Sequence, residues 1–279
     1  VKRLAGARGR ERDAGGWPAP GDGNVKRLAG RRAFVTGAGG ALGRASSLAF
    51  AREGAAVAVV DIAAGPARQT VALIEEQGGT AVAITADVSD ENEAAGAVAT
   101  AADALGGLDT LFNNAGIMPH QDGSVAGADL DLWRRIIEVN LHGTVLCTKY
   151  AVPHIERAGG GAIVNMSSFL AVMGCSSPQD GYAASKGAIW SLTRSLAVQL
   201  GPKAIRVNAL APGPIATPHV EKFFPDEQAR RARLERVPLG RFGTPADAAE
   251  LACFLASDAA SWLTGQVIVL DGGISCHYL

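Results

Sequence analysis

The chain has 279 residues, of which 48% are hydrophobic and 35 are glycine, and its formal net charge is −1. That length and apolar content suit one large α/β core, and the near-neutral balance gives no electrostatic case for nucleic acid or an anionic membrane as partner. Cys147, Cys175, Cys253 and Cys276 lack C-x-x-C spacing and the five histidines form no H-x-x-x-H pair, so neither a zinc centre nor a disulfide framework is expected.

In residues 1–32 lysine and arginine outnumber the acids without apolar periodicity, which reads as a solvated tail. The hexapeptide at 1–6 recurs verbatim at 25–30, so 1–24 is expected to be a dispensable extension and 25–279 a single domain. No apolar h-region of a signal peptide and no run of 18 apolar residues occurs, and a cytoplasmic protein is expected. His277 beside Cys276 reads as part of a free terminus.

A short strand is predicted at 32–36, followed by glycines at 37, 39, 40 and 43 and a helix over 41–53. Glycines between a strand and a helix let the backbone approach a pyrophosphate, and the helix N-terminus offers free N–H groups. The spacing misses G-x-G-x-x-G by one residue, because the last glycine would fall on Leu42. The apolar run 55–60 fits a strand buried on both faces and ends in Asp61. A carboxylate there can accept hydrogen bonds from ribose hydroxyls and repels a 2′-phosphate, and the neighbouring Gly39, Gly40 and Ile62 bring no compensating cation, which favours NAD over NADP. Alternatively, Asp61 caps the following helix.

Helix 66–77, strand 80–85, helix 91–105, strand 109–113, helix 129–154 and strand 161–166 follow in alternation. The last of these runs into Asn165-Met-Ser167-Ser168, whose hydroxyls could hold a substrate oxygen. On the next helix, 179–200, Tyr182 and Lys186 stand at i, i+4 and project from one face. A phenol has an unperturbed pKa of about 10, and an adjacent ammonium favours the phenolate, so the pair could exchange a proton with an alcohol. A bare Y-x-x-x-K is commonly a solvated helix face; the nucleotide features upstream are what favour chemistry here. Strand 204–209, a loop with short helices over 214–236, helix 245–256 and strand 266–270 complete the order. Strands alternating with helices imply right-handed crossovers and a Rossmann-type doubly wound parallel sheet.

From about residue 25 to 273 the chain resembles a short-chain dehydrogenase/reductase. Thr36-Gly37-Ala-Gly-Gly-Ala-Leu-Gly43 is similar to that family's TGxxxGxG loop, with Ala41 in place of the middle glycine. Asp87-Val88 matches the pair beside the adenine ring, and Asn113-Asn114-Ala115-Gly116 matches the NNAG segment. Asn140, Ser168, Tyr182 and Lys186 match the catalytic tetrad, Ser167 remaining a rival to Ser168. The resemblance implies that Asn140 orders a water linking Lys186 to solvent. Pro212-Gly213-Pro-Ile215-Ala-Thr217 resembles the PGxxxT segment that holds the nicotinamide carboxamide, although Thr217 could instead only cap a helix. It also implies about seven strands in the order 3-2-1-4-5-6-7 with helices on both faces, a substrate lid over 218–238, and a homodimer or homotetramer using the Tyr-Lys helix, where Trp190, Leu192 and Leu196 could form the contact.

The expected activity is hydride transfer between a nicotinamide cofactor and a small secondary alcohol or ketone, with Tyr182 as general base or acid. An NADPH-dependent 3-oxoacyl-thioester reductase and a nucleotide-sensing protein on the same fold are the alternatives, the first because 239–245 looks like segments of such reductases. Met118, His120, Phe169, Met173, Gln179, Phe223 and Phe224 are the candidate pocket residues.

Overall fold

The computed structural model of the chain describes residues 26–223 and 226–276, without the side chain of His219. The expectations for residues 1–24, Phe224 and His277 lie outside the described residues. Seven strands form one parallel sheet in the order β3-β2-β1-β4-β5-β6-β7, as expected. They are β1 (Arg32–Thr36), β2 (Ala56–Asp61), β3 (Thr80–Thr85), β4 (Thr110–Asn113), β5 (Gly161–Met166), β6 (Ile205–Pro212) and β7 (Val267–Leu270).

Alternation along the strands divides the core in two. Ala33, Val35, Val57 and Val59 face the layer holding α1 (Ala41–Arg52), α2 (Ala64–Glu76) and α9 (Pro245–Ala256). Phe34, Ala58 and Val60 face the layer of α3 (Glu91–Leu105), α5 (Gly143–Arg157) and α6 (Asp180–Leu200). Both sets of positions are apolar because helices cover both faces, which is why the strands read as continuous hydrophobic runs. Two short helices, α7 (Pro218–Glu221) and α8 (Glu227–Leu234), leave the sheet after β6.

The switch in strand order lies between β1 and β4, where the first crossover turns to one side and the next to the other. In such sheets the ligand crevice opens at the carboxyl ends of these strands. The predicted helix over 129–154 is instead α4 (Leu130–Ile137), a π-helical turn at Glu138–His142, and α5. Apolar spacing carries no signal for the extra residue in such a turn, and Asn140 sits at its middle.

Candidate active site

A cavity of about 980 Å³ opens at the carboxyl ends of the strands. One end is lined by Gly37, Gly40, Ala41, Leu42 and Gly43. Gly37 has φ +62°, and a Cβ on Gly43 would lie 2.2 Å from the Gly37 carbonyl oxygen, so the turn closes only with glycine at 43. Asn114 ties β4 to this turn: its Nδ2 donates to the Thr36 and Gly37 carbonyls at 2.8 and 3.2 Å. Helix α1 has no side-chain N-cap and no acid in its first turn, and the first-turn N–H groups belong to the cavity-lining Ala41, Leu42 and Gly43. Those donors, a partial positive charge and the close-packed turn fit a pyrophosphate.

Gly39 stands behind the turn rather than on the cavity wall, with its N–H donating to Asp61 Oδ2 at 2.9 Å. Asp61 Oδ1 accepts from the Ala63 N–H at 2.9 Å, so this carboxylate braces both the glycine loop and the start of α2 while lining the cavity. Ile62, Asp87 and Val88 extend the same wall. Asp87 is fixed by Ser89, at 2.9 and 2.6 Å, and by the Arg135 guanidinium at 2.9 Å, which with Ser89 outweighs burial and holds its carboxyl below the usual range. Two neighbours escaped the sequence reading. Arg135 lines the cavity from α4, and Arg44 donates to the Gly39 carbonyl at 3.1 Å, so a cation does stand beside the glycine loop.

Ser168, Tyr182 and Lys186 meet at the cavity wall with Ala115 and Gly116. Tyr182 is placed from a distance: the buried Asp122 accepts hydrogen bonds from the N–H groups of Gly181 at 3.1 Å and Tyr182 at 2.7 Å, capping the first turn of α6. Asp122 lies outside every motif, and nothing local in the sequence pointed to it. Of the two serines, Ser168 hydrogen-bonds to the Tyr182 phenol, whereas Ser167 Oγ donates to the Lys186 carbonyl at 2.9 Å. Lys186 Nζ donates to the Met166 carbonyl at 2.9 Å and stands 5.7 Å from the centre of the Tyr182 ring.

The expectation that Lys186 draws the Tyr182 pKa down is not met. Burial pushes the phenol above its ordinary value and only the Ser168 hydrogen bond opposes it, while burial lowers Lys186 itself to about 8. A desolvated ammonium bound to a carbonyl is a weak lever on a desolvated phenol.

Asn140 is fully buried and off the cavity wall. Its Nδ2 donates to the Ile117 carbonyl and to Ser185 Oγ, both at 3.0 Å, and its Oδ1 accepts from the Ile117 N–H at 2.7 Å. Ser185 Oγ in turn donates to the Tyr182 carbonyl at 2.7 Å, linking the π-helical turn to the first turn of α6.

Pro212, Gly213, Ile215 and Thr217 line the cavity beyond β6, and Thr217 Oγ1 also accepts from the Val220 N–H at 3.2 Å, so the helix-capping role is present beside its place on the wall. Met118, Phe169, Gln179 and Phe223 are on the wall as expected, together with the unanticipated Cys175, Ser177 and Arg233. Met173 and His120 are not; His120 stacks on Phe223 with centroids 4.0 Å apart.

A family model described as enoyl-(acyl carrier protein) reductase matches residues 37–275. The cis-4-hydroxycyclohexanecarboxylate dehydrogenase of Sinomonas cyclohexanicum is 41% identical over 246 residues, covering 88% of this chain and 97% of that protein. The 3-oxoacyl-(acyl-carrier-protein) reductase of Thermotoga maritima is 39% identical over 248 residues, covering 89% and 99%. A crystal structure from Sinorhizobium meliloti 1021, described as a short-chain alcohol dehydrogenase, matches with TM-score 0.87 at 39% identity, covering 91% of this chain and all of that one. The chain belongs to the short-chain dehydrogenase/reductase family. It is therefore an oxidoreductase of a family that uses nicotinamide cofactors on small molecules.

Proposed function

We propose that this short-chain dehydrogenase/reductase moves hydride between NAD(H) and a secondary alcohol or ketone, with Tyr182 as the proton donor and acceptor. The observation that carries this reading is one continuous cavity with the glycine turn and Asp61 at one end and Ser168, Tyr182 and Lys186 at the other. Gly37, Gly40, Ala41, Leu42 and Gly43 would hold the pyrophosphate, Asp61 the adenosine ribose, Ile62, Asp87 and Val88 the adenine, and Pro212, Gly213, Ile215 and Thr217 the carboxamide. When bound, the nicotinamide supplies or accepts the hydride.

Tyr182 takes the O–H proton of an alcohol, or returns it to the oxygen of a ketone. Its raised pKa keeps it a phenol at neutral pH, ready to donate, so ketone reduction should be fastest near neutrality and alcohol oxidation should accelerate toward alkaline pH. Ser168 hydrogen-bonds the same substrate oxygen and stabilises the charge that builds there. Lys186 binds the ribose next to Asn114, Ala115 and Gly116. Both N–H groups of the Asn140 amide are used, so the water it orders toward Lys186 would sit on the remaining lone pair of Oδ1. A Cβ on Gly116 would lie 3.2 Å from that oxygen and 3.3 Å from Lys186 Nζ, which puts the two groups on one side. NAD as partner makes oxidation the cellular direction.

The similarity to a 3-oxoacyl reductase, together with Arg44 against the glycine loop, favours NADPH-dependent reduction as the second reading. Titration with NADH and NADPH separates the two, because Asp61 should disfavour the 2′-phosphate at least tenfold and Asp61→Ser should narrow that ratio. Tighter binding of NADPH by the unaltered chain would favour the second reading. Like other members, the protein would act as a dimer or tetramer. The exposed Val198 of α6 and the nearly bare Trp262 supply apolar surface for that contact, whereas Leu196 packs into the core.

A further inference from the structure

Among the described residues, three cations line the cavity: Arg135, Lys186 and Arg233. Two have their charge engaged, Arg135 with Asp87 at 2.9 Å and Lys186 with the Met166 carbonyl at 2.9 Å. The Arg233 guanidinium has neither an ion pair nor a hydrogen bond among the described residues, and the residue is half-buried. A basic residue in the last turn of α8 is favourable to the helix dipole wherever it points, so the dipole does not account for its place on the cavity wall. Its helix is pinned: Asp226 caps α8 by accepting from the Ala229 N–H at 2.7 Å, Arg230 lies 5.3 Å from the Phe242 ring centre, and Leu234 packs against the cluster of Val237, Phe242 and Ile274. The cavity wall carries two acids, Asp61 at the end of β2 and Asp87 paired with Arg135; apart from Lys186 and Arg233, the lining from Phe169, Cys175, Ser177, Gln179 and Phe223 is neutral.

From this we infer that the substrate is an anionic secondary alcohol or ketone, a hydroxy or oxo acid whose carboxylate pairs with Arg233 while its carbon frame lies against Phe169 and Phe223. This rests on the oxidoreductase reading above and adds the substrate class to it. A guanidinium in a partly desolvated pocket binds a carboxylate by charge-assisted, bidentate hydrogen bonds and gains nothing comparable from an ester.

The test compares hydroxy acids of graded size with their methyl esters, using NAD and the full chain. The unaltered protein should favour the acid over its ester by about tenfold to a hundredfold in kcat/KM. Arg233→Gln should bring that ratio close to one, mainly through KM for the acid, and Arg233→Lys should restore part of it. Equal use of acid and ester by the unaltered protein would overturn the inference while leaving the oxidoreductase reading intact. So would an Arg233→Gln effect on the KM for NAD in place of the acid, which would make Arg233 a cofactor clamp. Failure to oxidise any acid or ester would sink the underlying reading instead.

Discussion

Lys186 holds a charge where the apo fold would do better without one. The residue is 3% exposed and burial lowers its pKa from 10.5 to about 8, a shift equivalent to about 3 kcal/mol of stability given up while the ammonium is charged. The unfolded chain binds more protons than the folded one between those two values. Stability therefore rises with pH from about 8 to 10.5, and the full cost applies below about 8. Lys186→Met should raise apo stability by about 2 kcal/mol at neutral pH, after allowance for the carbonyl of Met166 that it strands, and the gain should fade as pH approaches 10.5. Chemical denaturation across pH measures this; a destabilised Lys186→Met at neutral pH would show that the ammonium is better solvated than its burial implies. The same substitution should remove turnover, separating what the residue does for function from what it does to the fold.

At the scale of elements, the glycine turn makes the sharpest distinction. Gly40 has room for a methyl group, the nearest atom to an added Cβ being 3.4 Å away, whereas at Gly43 the contact is 2.2 Å. Gly40→Ala should bind the cofactor within a few-fold of the unaltered chain, while Gly43→Ala should cost at least tenfold in affinity or about 2 kcal/mol in stability, read by titration and melting. Indistinguishable variants would mean that the turn relaxes freely. These positions were legible because the motif and the strand-helix junction occupy one stretch of chain. The strands at 32–36, 80–85 and 161–166 were likewise read to the residue, since apolar runs bounded by turns are local signals. What stayed hidden depends on contacts between distant segments. Asp122 caps α6 from 59 residues away, the π-helical turn interrupts a helix whose apolar spacing is unbroken, and the place of Arg233 on the wall is set by the packing of α8. Sequence spacing predicts the proximity of the Tyr182 phenol to Lys186 but not the desolvation of both groups.

At the scale of the whole molecule, the first of the described residues with several anchoring contacts is Arg27. Its N–H and guanidinium bond to Glu53 at 2.9 and 2.8 Å, and the guanidinium also reaches Glu250 at 2.6 Å, joining the segment before β1 to the C-cap of α1 and to α9. Removal of residues 1–24 should therefore leave the melting temperature within about 2 °C and turnover unchanged, a difference corresponding to less than about 1 kcal/mol for a chain of this size. Loss of folding on that truncation would place an essential part of the domain upstream of Arg27. At the other end of the same fold, the segment after β6 brings Phe223 and Arg233 to a cavity whose floor comes from the ends of β2, β5 and β6 and the turns after β1 and β4. In the proposed mechanism, substrate choice and hydride chemistry are carried by different parts of the chain.

Proton transfer in the proposed reaction turns on the phenol of Tyr182. Replacing it with phenylalanine and following reduction of NAD by a secondary alcohol at saturating cofactor is the most direct measurement. The predicted result is a fall in kcat of about 10²–10⁴-fold with NAD affinity retained, because proton transfer is lost while the cradle persists. Turnover within twofold of the unaltered chain would contradict the assignment and require another group to carry the proton.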